Sequence, residues 1–524
     1  MFLQTQQRYN PPMVNAALPN DYDTLRTLCQ TLQSQLSHQQ DFIQNLLEQI
    51  RLSRHQHFGA RSEKFNIDQL SLLAGEAIAP FIDGDNETTV SAQEDDDSMI
   101  VAAHRRNRGR RKPLPPELPR INVIHTLEDE ACQCEQCQST MAPISERTCE
   151  QLDIIPAQIQ VLRHIKTIYG CPQCDGQIKT APMPPQLLPK TMASAGTLAH
   201  IVTAKYVDSL PLYRQEKQLR RSGIDLPRST MAQWMIKAGI AIQPLINLLN
   251  EQILAGHYIG MDETTIQVLK EPGRKAQSKS YLWVRRGGPP KHPLVLYDYD
   301  PSRSHAVPVR LLEGFAGYLQ TDGYEGYAKV CATPSMTRLS CMAHARRKFD
   351  EALKSQLKPD PASLPGVALK KIRALYRLER EAAELTSDER RAKRQQEAVP
   401  LLNDLRQWLD QHLPLVPKQS ALGKALNYLH KQWPGLIVYV EHGDLRIDNN
   451  LVENAIRPFV VGRKNYLFCD SVAGAKATAN LYSLIETAKA NNIEPYRYLR
   501  HVFTELPKAI SLEEIEALLP HRMV

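Results

Sequence analysis

The chain has 524 residues, which at about 100–200 residues per domain corresponds to about three to five domains. Its composition, 42% hydrophobic and 23% charged, excludes a wholly disordered, collagen-like or disulfide-framework chain. The net charge of +7 indicates a nucleic-acid partner only if the positive side chains are clustered. No apolar run predicts a membrane-spanning helix, and no signal peptide is visible. Ten cysteines in such a chain indicate reduced thiols or a metal site.

Residues 21–57 place leucine and isoleucine at helical spacing. The first apolar side chains step by three and four residues, and later ones repeat every seven residues. The positions concerned are Leu25, Leu28, Leu32, Leu36, Ile43, Leu46 and Ile50. This pattern predicts either a short coiled coil or an amphipathic helix. It leaves open whether the helix packs on its own domain or dimerises.

Residues 58–120 have the composition of a flexible linker, acidic in its first half and basic in its second. Between residues 104 and 112, six of nine side chains are positively charged, and prolines follow. A charged run is often only a solvated segment, but six clustered cations can also neutralise several phosphates. The candidate DNA contacts in this linker are Arg105, Arg106, Arg108, Arg110 and Arg111.

Two CxxC pairs lie in the segment 121–182, which otherwise consists of short strand-like runs. Together they can present four thiolates to one ion, and structural Zn²⁺ prefers such a tetrahedron. The predicted ligands are Cys134, Cys137, Cys171 and Cys174. The segment is therefore expected to be a small zinc-binding module. Free or redox-active thiols are the alternative, and Cys132 leaves open which cysteines of the first pair bind the metal.

Residues 183–250 have a helical pattern, and the stretch 211–239 follows a helix-turn-helix pattern. Gly223 lies at the turn, and Ser229 or Thr230 is the predicted cap of the second helix. Such a second helix can enter a major groove, although an ordinary helical hairpin has the same pattern. The candidate DNA contacts at the end of the first helix are Arg220 and Arg221.

Strand-like runs bounded by Gly, Pro or Asp occupy much of residues 257–349. The runs are HYIGMDETTIQVL, SYLWVRRGG, PLVLYDYD and AGYLQTDGY. Asp262 lies in the first run and Asp322 at the end of the last. Glu453 lies in a later helical segment that Asp448 is predicted to cap. The rival acids that spacing does not exclude are Asp298, Asp300, Glu263 and Glu325.

A carboxylate within an apolar strand carries a desolvation penalty unless it is paired or binds a metal ion. Two such acids at neighbouring strand ends, joined by a third acid from a helix, can hold two divalent cations. Such a pair of ions activates the attacking oxygen and stabilises the leaving oxygen in phosphoryl transfer. The oxygen ligands suit Mg²⁺ or Mn²⁺.

Taken together, these motifs resemble the DDE transposases of insertion-sequence family sixty-six (IS66). The resemblance covers roughly residues 21–524, and the order of the leucine-patterned helix and the paired cysteines agrees with it. The segments that carry it are KYVDSLPLYRQEKQLRRSGIDLPRSTMAQWM, MDETTIQVL, LQTDGYEGY, CMAHARRKF and DNNLVENAIRPFVVGRKNYLF.

The resemblance implies a multidomain α+β protein with a ribonuclease-H-like catalytic core at residues 251–480 and a helical tail at residues 481–524. A coiled-coil helix, a zinc-binding module and a helix-turn-helix-like region would precede the core. Because the gap between the second and third acids is long for such a core, the stretch at about 350–445 is expected to be a helical insertion. The implied catalytic triad, which would bind Mg²⁺ or Mn²⁺, is Asp262, Asp322 and Glu453.

The implied activity is metal-dependent hydrolysis at the ends of an insertion sequence, followed by attack of the exposed 3′-hydroxyl on target DNA. The implied partners are DNA, further copies of the chain on paired ends, and accessory proteins of the same element, in the bacterial cytoplasm at the nucleoid. Basic side chains near the acids would contact phosphates, unless they form only a solvated face. These side chains are His344, Arg346, Arg347, Lys348, Arg457, Arg463 and Lys464.

Two other functions stay open. A zinc-containing DNA-binding regulator without catalysis would explain the cysteines and the basic clusters, but not the three acids in apolar surroundings. A nuclease of the same fold would cut without joining, and only the resemblance separates it from a transposase.

Overall fold

The computed structural model describes residues 21–58, 120–121, 159–170, 178–332 and 334–523. Contacts divide the chain into two compact units, of which residues 85–183 form the smaller. In this smaller unit, β1 (Ile168–Gly170) pairs antiparallel with β2 (Ile178–Thr180). Its described residues 159–167 have no regular secondary structure, so the strand-like pattern there is only partly borne out.

The larger unit begins with α1 (Tyr22–Phe58), the helix that the leucine pattern predicts. Its apolar side chains Leu32, Leu36 and Ile43 are between 50% and 57% exposed. The helix also contacts the rest of its unit, because Glu48 Oε2 accepts a hydrogen bond from the backbone N–H of Ala421 at 2.9 Å. A coiled coil formed by this helix stays a prediction. Among the described residues, no helix is both long and apolar enough to cross a membrane.

Helices and then a mixed sheet form the centre of the larger unit. The helices are α2 (Ala195–Tyr206), α3 (Leu212–Arg221), α4 (Arg228–Ala241) and α5 (Gln243–Leu254). The next elements are β3 (Tyr258–Lys270), β4 (Lys279–Gly287), β5 (Leu294–Asp300), α6 (Ala306–Leu311), β6 (Gly317–Thr321) and β7 (Met336–Ser340). Strands β3 to β6 correspond to the four predicted runs, whereas β7 was not predicted.

The strands of the sheet lie in the order β5-β4-β3-β6-β7. β4 runs antiparallel to both β3 and β5, and β6 runs parallel to both β3 and β7. β6 pairs only with residues 258–260 at the start of β3. A short strand, β8 (Cys469–Ser471), pairs with residues 268 and 270 at the far end. Between these two pairings, the middle of β3 has no strand from the described residues beside it on this edge, so a helix can approach it there.

The C-terminal helices pack on the sheet. They are α12 (Asn450–Tyr466), α13 (Val472–Ala490), α14 (Pro495–Glu505) and α15 (Leu512–Glu516). Ser483 and Thr487 of α13 accept hydrogen bonds from the backbone N–H groups of Tyr297 and Val295 at 2.8 and 3.0 Å. The helix thus covers the edge of β5, which could otherwise pair with another chain. The boundary predicted at residue 480 falls inside α13, which has buried core residues on both sides of it.

A group of helices lies between β7 and α12, in the stretch predicted to be a helical insertion. Its helices are α7 (Met342–Lys354), α8 (Leu364–Glu381), α9 (Ser387–Lys393), α10 (Val399–His412) and α11 (Ala421–Leu436). They enclose a core of their own that includes Phe349, Leu375 and Leu405. A π-helical turn at Arg394–Ala398 joins α9 to α10 and turns Arg394 inward, where it is only 2% exposed.

The predicted helix-turn-helix corresponds to α3 and α4. Gly223 adopts a φ of +76° in the turn, a backbone conformation that favours glycine. The predicted cap was wrong: Pro227 is the N-cap of α4, so Ser229 and Thr230 already lie within its first turn. Trp234 of α4 is buried in the core. Exposed cations lie on both helices, Arg220 and Arg221 at the end of α3 and Arg228 and Lys237 on α4.

Candidate active site

Two aspartates come together because β3 and β6 are in register. Gly260 of β3 is paired with Gln320 of β6, and the two strands run in the same direction. Asp262 and Asp322 each lie two residues further along their chains. Since side chains two residues apart point to the same face, the two carboxyl groups project from adjacent positions.

The helix α12 begins against β3 and brings a third acid to the same place. Its N-cap residue Asn449 donates from Nδ2 to the backbone oxygen of Met261 at 3.1 Å. Gly260 allows this approach, since a Cβ there would lie 2.6 Å from Cγ2 of Val452. Glu453 lies in the first turn of α12, close enough to Asp262 and Asp322 for their charges to interact.

The prediction that Asp448 caps this helix was wrong by one residue. Asn449 occupies the cap position, and Asp448 lies just outside the helix. Oδ1 of Asp448 still accepts a hydrogen bond from the backbone N–H of Asn450 at 3.1 Å. Its Oδ2 accepts one from the Tyr376 hydroxyl at 2.9 Å, which links the start of α12 to the insertion.

The three carboxyl groups influence one another electrostatically. Burial raises the pKa of Asp262, and the charges of Glu263, Asp322 and Glu453 raise that pKa further. Burial is also the main cause of the raised pKa of Glu453, which Arg347 opposes and Asp322 increases. Acids that repel one another in a partly buried site are stabilised in their charged form by a bound cation.

Each rival acid has a cationic partner in the folded chain. The pairs are Glu263 with Arg303 at 2.6 Å, Asp298 with Arg285 at 2.8 Å, Asp300 with Arg310 at 2.8 Å and Glu325 with Lys431 at 2.7 Å. Asp262 and Asp322 instead accept hydrogen bonds from the backbone N–H groups of Glu263 and Tyr324, at 2.8 and 2.9 Å. These two acids therefore differ from their rivals, whose carboxylates form ion pairs.

His344 lies beside Glu453, with Nδ1 3.8 Å from Oε1. Within the described part of the chain, both atoms are buried and neither has a hydrogen-bond partner. Burial lowers the pKa of His344, so the ring is neutral at neutral pH and this contact is not an ion pair. Arg347 lies 3.7 Å from the other oxygen of Glu453. A divalent cation would satisfy the two unpartnered atoms, so the residues present fit a metal ion.

The predicted phosphate contacts divide into exposed and internal side chains. Arg347, Arg457 and Lys464 are exposed, whereas Arg346 and Lys348 are half-buried. Lys348 lies 3.6 Å from Glu351. Arg463 faces inward, where it donates to Thr264 Oγ1 at 3.1 Å and to the backbone oxygen of Thr265. It therefore fixes α12 to the middle of β3, a role that the sequence pattern did not show.

On α3, Arg220 and Arg221 are exposed, as a DNA contact requires. Arg220 also lies 3.6 Å from Glu216 and 3.8 Å from Asp225. Other predicted site residues lie outside the described residues. They are Cys134, Cys137, Cys171, Cys174, Arg105, Arg106, Arg108, Arg110 and Arg111.

Family models match along most of the chain. The Transposase IS66 family model matches residues 190–477, and the IS66 C-terminal element matches residues 483–521. The zinc-finger binding domain of transposase IS66 matches residues 131–175, and a model described as transposase C of IS166 homeodomain matches residues 45–123. These matches place the chain among the DNA-binding transposases of insertion sequences.

More specifically, the chain belongs to the IS66 transposase family, which confirms the resemblance. Two similar relatives are uncharacterized proteins of Sinorhizobium fredii. The protein y4jD is 34% identical over 88% of this chain and 91% of its own length. The protein y4qI is 30% identical over 91% of this chain and 88% of its own length.

We expect Asp262→Asn to stabilise the metal-free protein at about pH 8. Because burial raises the folded-state pKa of Asp262 above the unfolded value of about 3.9, ionising this group destabilises the folded state as pH rises. The amide removes this cost, so Tm should increase by about 2 °C or more in a thermal denaturation experiment. The increase should shrink as pH falls through the folded-state pKa, since the wild-type carboxyl group is then protonated.

Asp300→Asn is the matched control, because Asp300 forms an ion pair with Arg310 beside the solvent. Added Mg²⁺ should raise the Tm of the wild type and of the control, but not that of Asp262→Asn. An equal response of all three proteins would contradict metal binding by Asp262.

Proposed function

We propose that the chain is a DDE transposase with a ribonuclease-H-like core, in which Asp262, Asp322 and Glu453 hold Mg²⁺ or Mn²⁺. The observation that carries this proposal is the register of β3 and β6, which places Asp262 and Asp322 at adjacent positions. The start of α12 lies against β3 and brings Glu453 to the same place. The strand order and the single antiparallel β4 between β3 and β5 suit that core. Divalent ions bound there would activate the attacking oxygen and stabilise the leaving one.

The neighbouring residues position this site and its DNA. Asn449 and Arg463 hold the two ends of α12 on β3, so Glu453 is fixed relative to Asp262. Arg303 and Tyr327 hold the carboxylate of Glu263 at 2.6 Å each, which keeps it apart from the metal ligands. The exposed cations on α7 and α12 would bind the phosphates on either side of the reacting bond.

The remaining expectations belong to the same proposal. The four cysteines would hold a structural Zn²⁺, in line with the matching zinc-finger model. The exposed apolar side chains of α1 support association of two or more copies on paired DNA ends. Accessory proteins of the same element and a location at the bacterial nucleoid complete the proposal.

The test is an end-joining assay with the full-length protein. Purified protein, Mg²⁺ and a mini-transposon bearing the ends of its own element are incubated with a supercoiled target plasmid, with and without the accessory proteins. Joined products that are lost in Asp322→Asn and Glu453→Gln would support the transposase. Binding without cutting would favour the regulator, and cut but unjoined ends would favour the nuclease.

We expect Lys464→Ala to weaken binding to DNA ends and to reduce its dependence on salt. Lys464 is exposed on the helix that carries Glu453. DNA binding by the variant should therefore release about one counterion fewer than binding by the wild type. The slope of log K against log salt should fall by about one, measured by fluorescence anisotropy. The matched control is Lys418→Ala, an exposed lysine in the insertion. Equal slopes for the two variants would contradict a phosphate contact.

A further inference from the structure

A second group of metal-ligating side chains lies away from the three acids. His257 directly precedes β3, five residues before Asp262, which is about 16 Å along an extended strand. His442 and Asp444 lie just before α12, in the segment that follows the short helical turn Val438–Glu441. One ligand atom from each of these three residues lies within 4.8 Å of the others.

The distances are close to those of a metal site. Nε2 of His257 and Nδ1 of His442 each lie 3.9 Å from Oδ2 of Asp444. The two imidazole rings are 5.2 Å apart between centroids. Ligand atoms around a tetrahedral Zn²⁺, with bonds of about 2.0–2.1 Å, are about 3.4 Å apart. Small side-chain rotations are therefore sufficient to close the site.

The backbone on both sides of this cluster is held in place. Arg394 donates to the backbone oxygens of His442 at 2.7 Å and Gly443 at 3.1 Å. The backbone oxygen of His257 accepts a hydrogen bond from the N–H of Tyr318 at 2.8 Å. Because the peptide groups are fixed, binding an ion would order only the side-chain ends, which lowers its entropic cost.

The donor set selects the kind of ion. The backbone N–H of Asp444 donates to Nδ1 of His442 at 3.2 Å, a hydrogen bond that the ring would exchange for the metal ion. Two imidazoles and one carboxylate, with room for a fourth ligand, suit Zn²⁺ and not Mg²⁺. Arg286 and Arg446 also line the adjoining cavity of about 50 Å³, and their charge favours an anion as that fourth ligand.

We propose that His257, His442 and Asp444 form a second metal site, which takes Zn²⁺ and is separate from the catalytic acids. The ion would tie the segment that leads into α12 to the first residue before β3. Since α12 carries Glu453 and β3 carries Asp262, this site would fix the distance between two elements of the active site. Its role is structural, and its ligands do not touch the reacting DNA.

The test is a count of tightly bound zinc in the full-length protein. Wild type, His257→Ala, His442→Ala and Asp444→Asn are saturated with Zn²⁺, dialysed and analysed for metal content. We expect each variant to hold one equivalent per chain fewer than the wild type, whatever zinc the cysteines hold. Thermal denaturation in the presence of a chelator checks that the variants are folded.

Two controls make the outcome decisive. His501→Ala removes an exposed histidine of α14 and should leave the zinc content unchanged. Glu453→Ala removes a ligand of the other site, so its zinc content shows how much Zn²⁺ the catalytic acids hold under the same conditions. The proposal is overturned if the three variants retain the wild-type zinc content, or if only Glu453→Ala loses an equivalent.

Discussion

Asp262→Asn is expected to join transposon ends more than about a hundredfold more slowly than the wild type, while binding those ends at least as tightly. Loss of a residue that merely supports a metal ligand typically costs about 10–100-fold, and loss of the ligand itself should cost more. The amide removes the negative charge that holds the ion, but it keeps the size and the backbone contacts of the side chain. DNA binding should persist because the exposed cations that contact phosphates are unchanged.

The matched control for this variant is Asp300→Asn. Both residues lie in strands of the same sheet, but Asp300 is paired with Arg310 and lies outside the cluster of three acids. The two variants should be compared by initial rates of joining and by a gel-shift titration with the same DNA. Comparable joining rates for Asp262→Asn and the wild type would remove Asp262 from the proposed triad.

Arg394→Ala is expected to lower the free energy of unfolding by about 3–5 kcal/mol, the usual cost of breaking a buried ion pair. Arg394 is 2% exposed and donates to both oxygens of Glu379, at 2.9 and 2.6 Å. It also donates to the backbone oxygens of Tyr439 and Leu445, at 3.0 and 2.9 Å. The truncation would leave a buried carboxylate and several buried carbonyl groups without their donor.

The measurement is urea denaturation followed by circular dichroism. Arg391→Ala, three residues earlier and exposed, is the control and should change stability by less than about 0.5 kcal/mol. A double variant, Glu379→Leu with Arg394→Met, should recover much of the loss, since apolar residues of similar size can replace a buried ion pair. A small effect of Arg394→Ala would mean that the segment before α12 is held by other contacts.

The elements with strong local patterns could be predicted from the sequence. The first helix and the four runs that became β3 to β6 have spacing and composition that suit only one kind of element. β7, with the sequence MTRLS, was missed because it is short and partly polar, and it is a strand through its parallel pairing with β6. The π-helical turn at Arg394 was missed for a similar reason, since the contacts that turn this side chain inward come from distant residues.

The candidate site shows the same division. Asp262, Asp322 and Glu453 could be named from their context and the family resemblance, but spacing did not separate them from Glu263 or the other rivals. The contacts of Glu263 with Arg303 and Tyr327 join residues far apart in the chain. His344 and Glu453 are also far apart in the chain but adjacent in the structure. For His344 the sequence suggested only a phosphate contact.

The sequence by itself determined the family, the order of the modules, the main strands and helices, and the acids that carry the proposed chemistry. These follow from local periodicity and from motifs that are continuous in the chain. Only the tertiary structure decided which acids are neutralised by arginine or lysine, which accept backbone hydrogen bonds instead, and which basic side chains face inward. Burial and ion pairing depend on neighbours brought together by the sheet and the helical insertion, and no local pattern in the sequence specifies those neighbours.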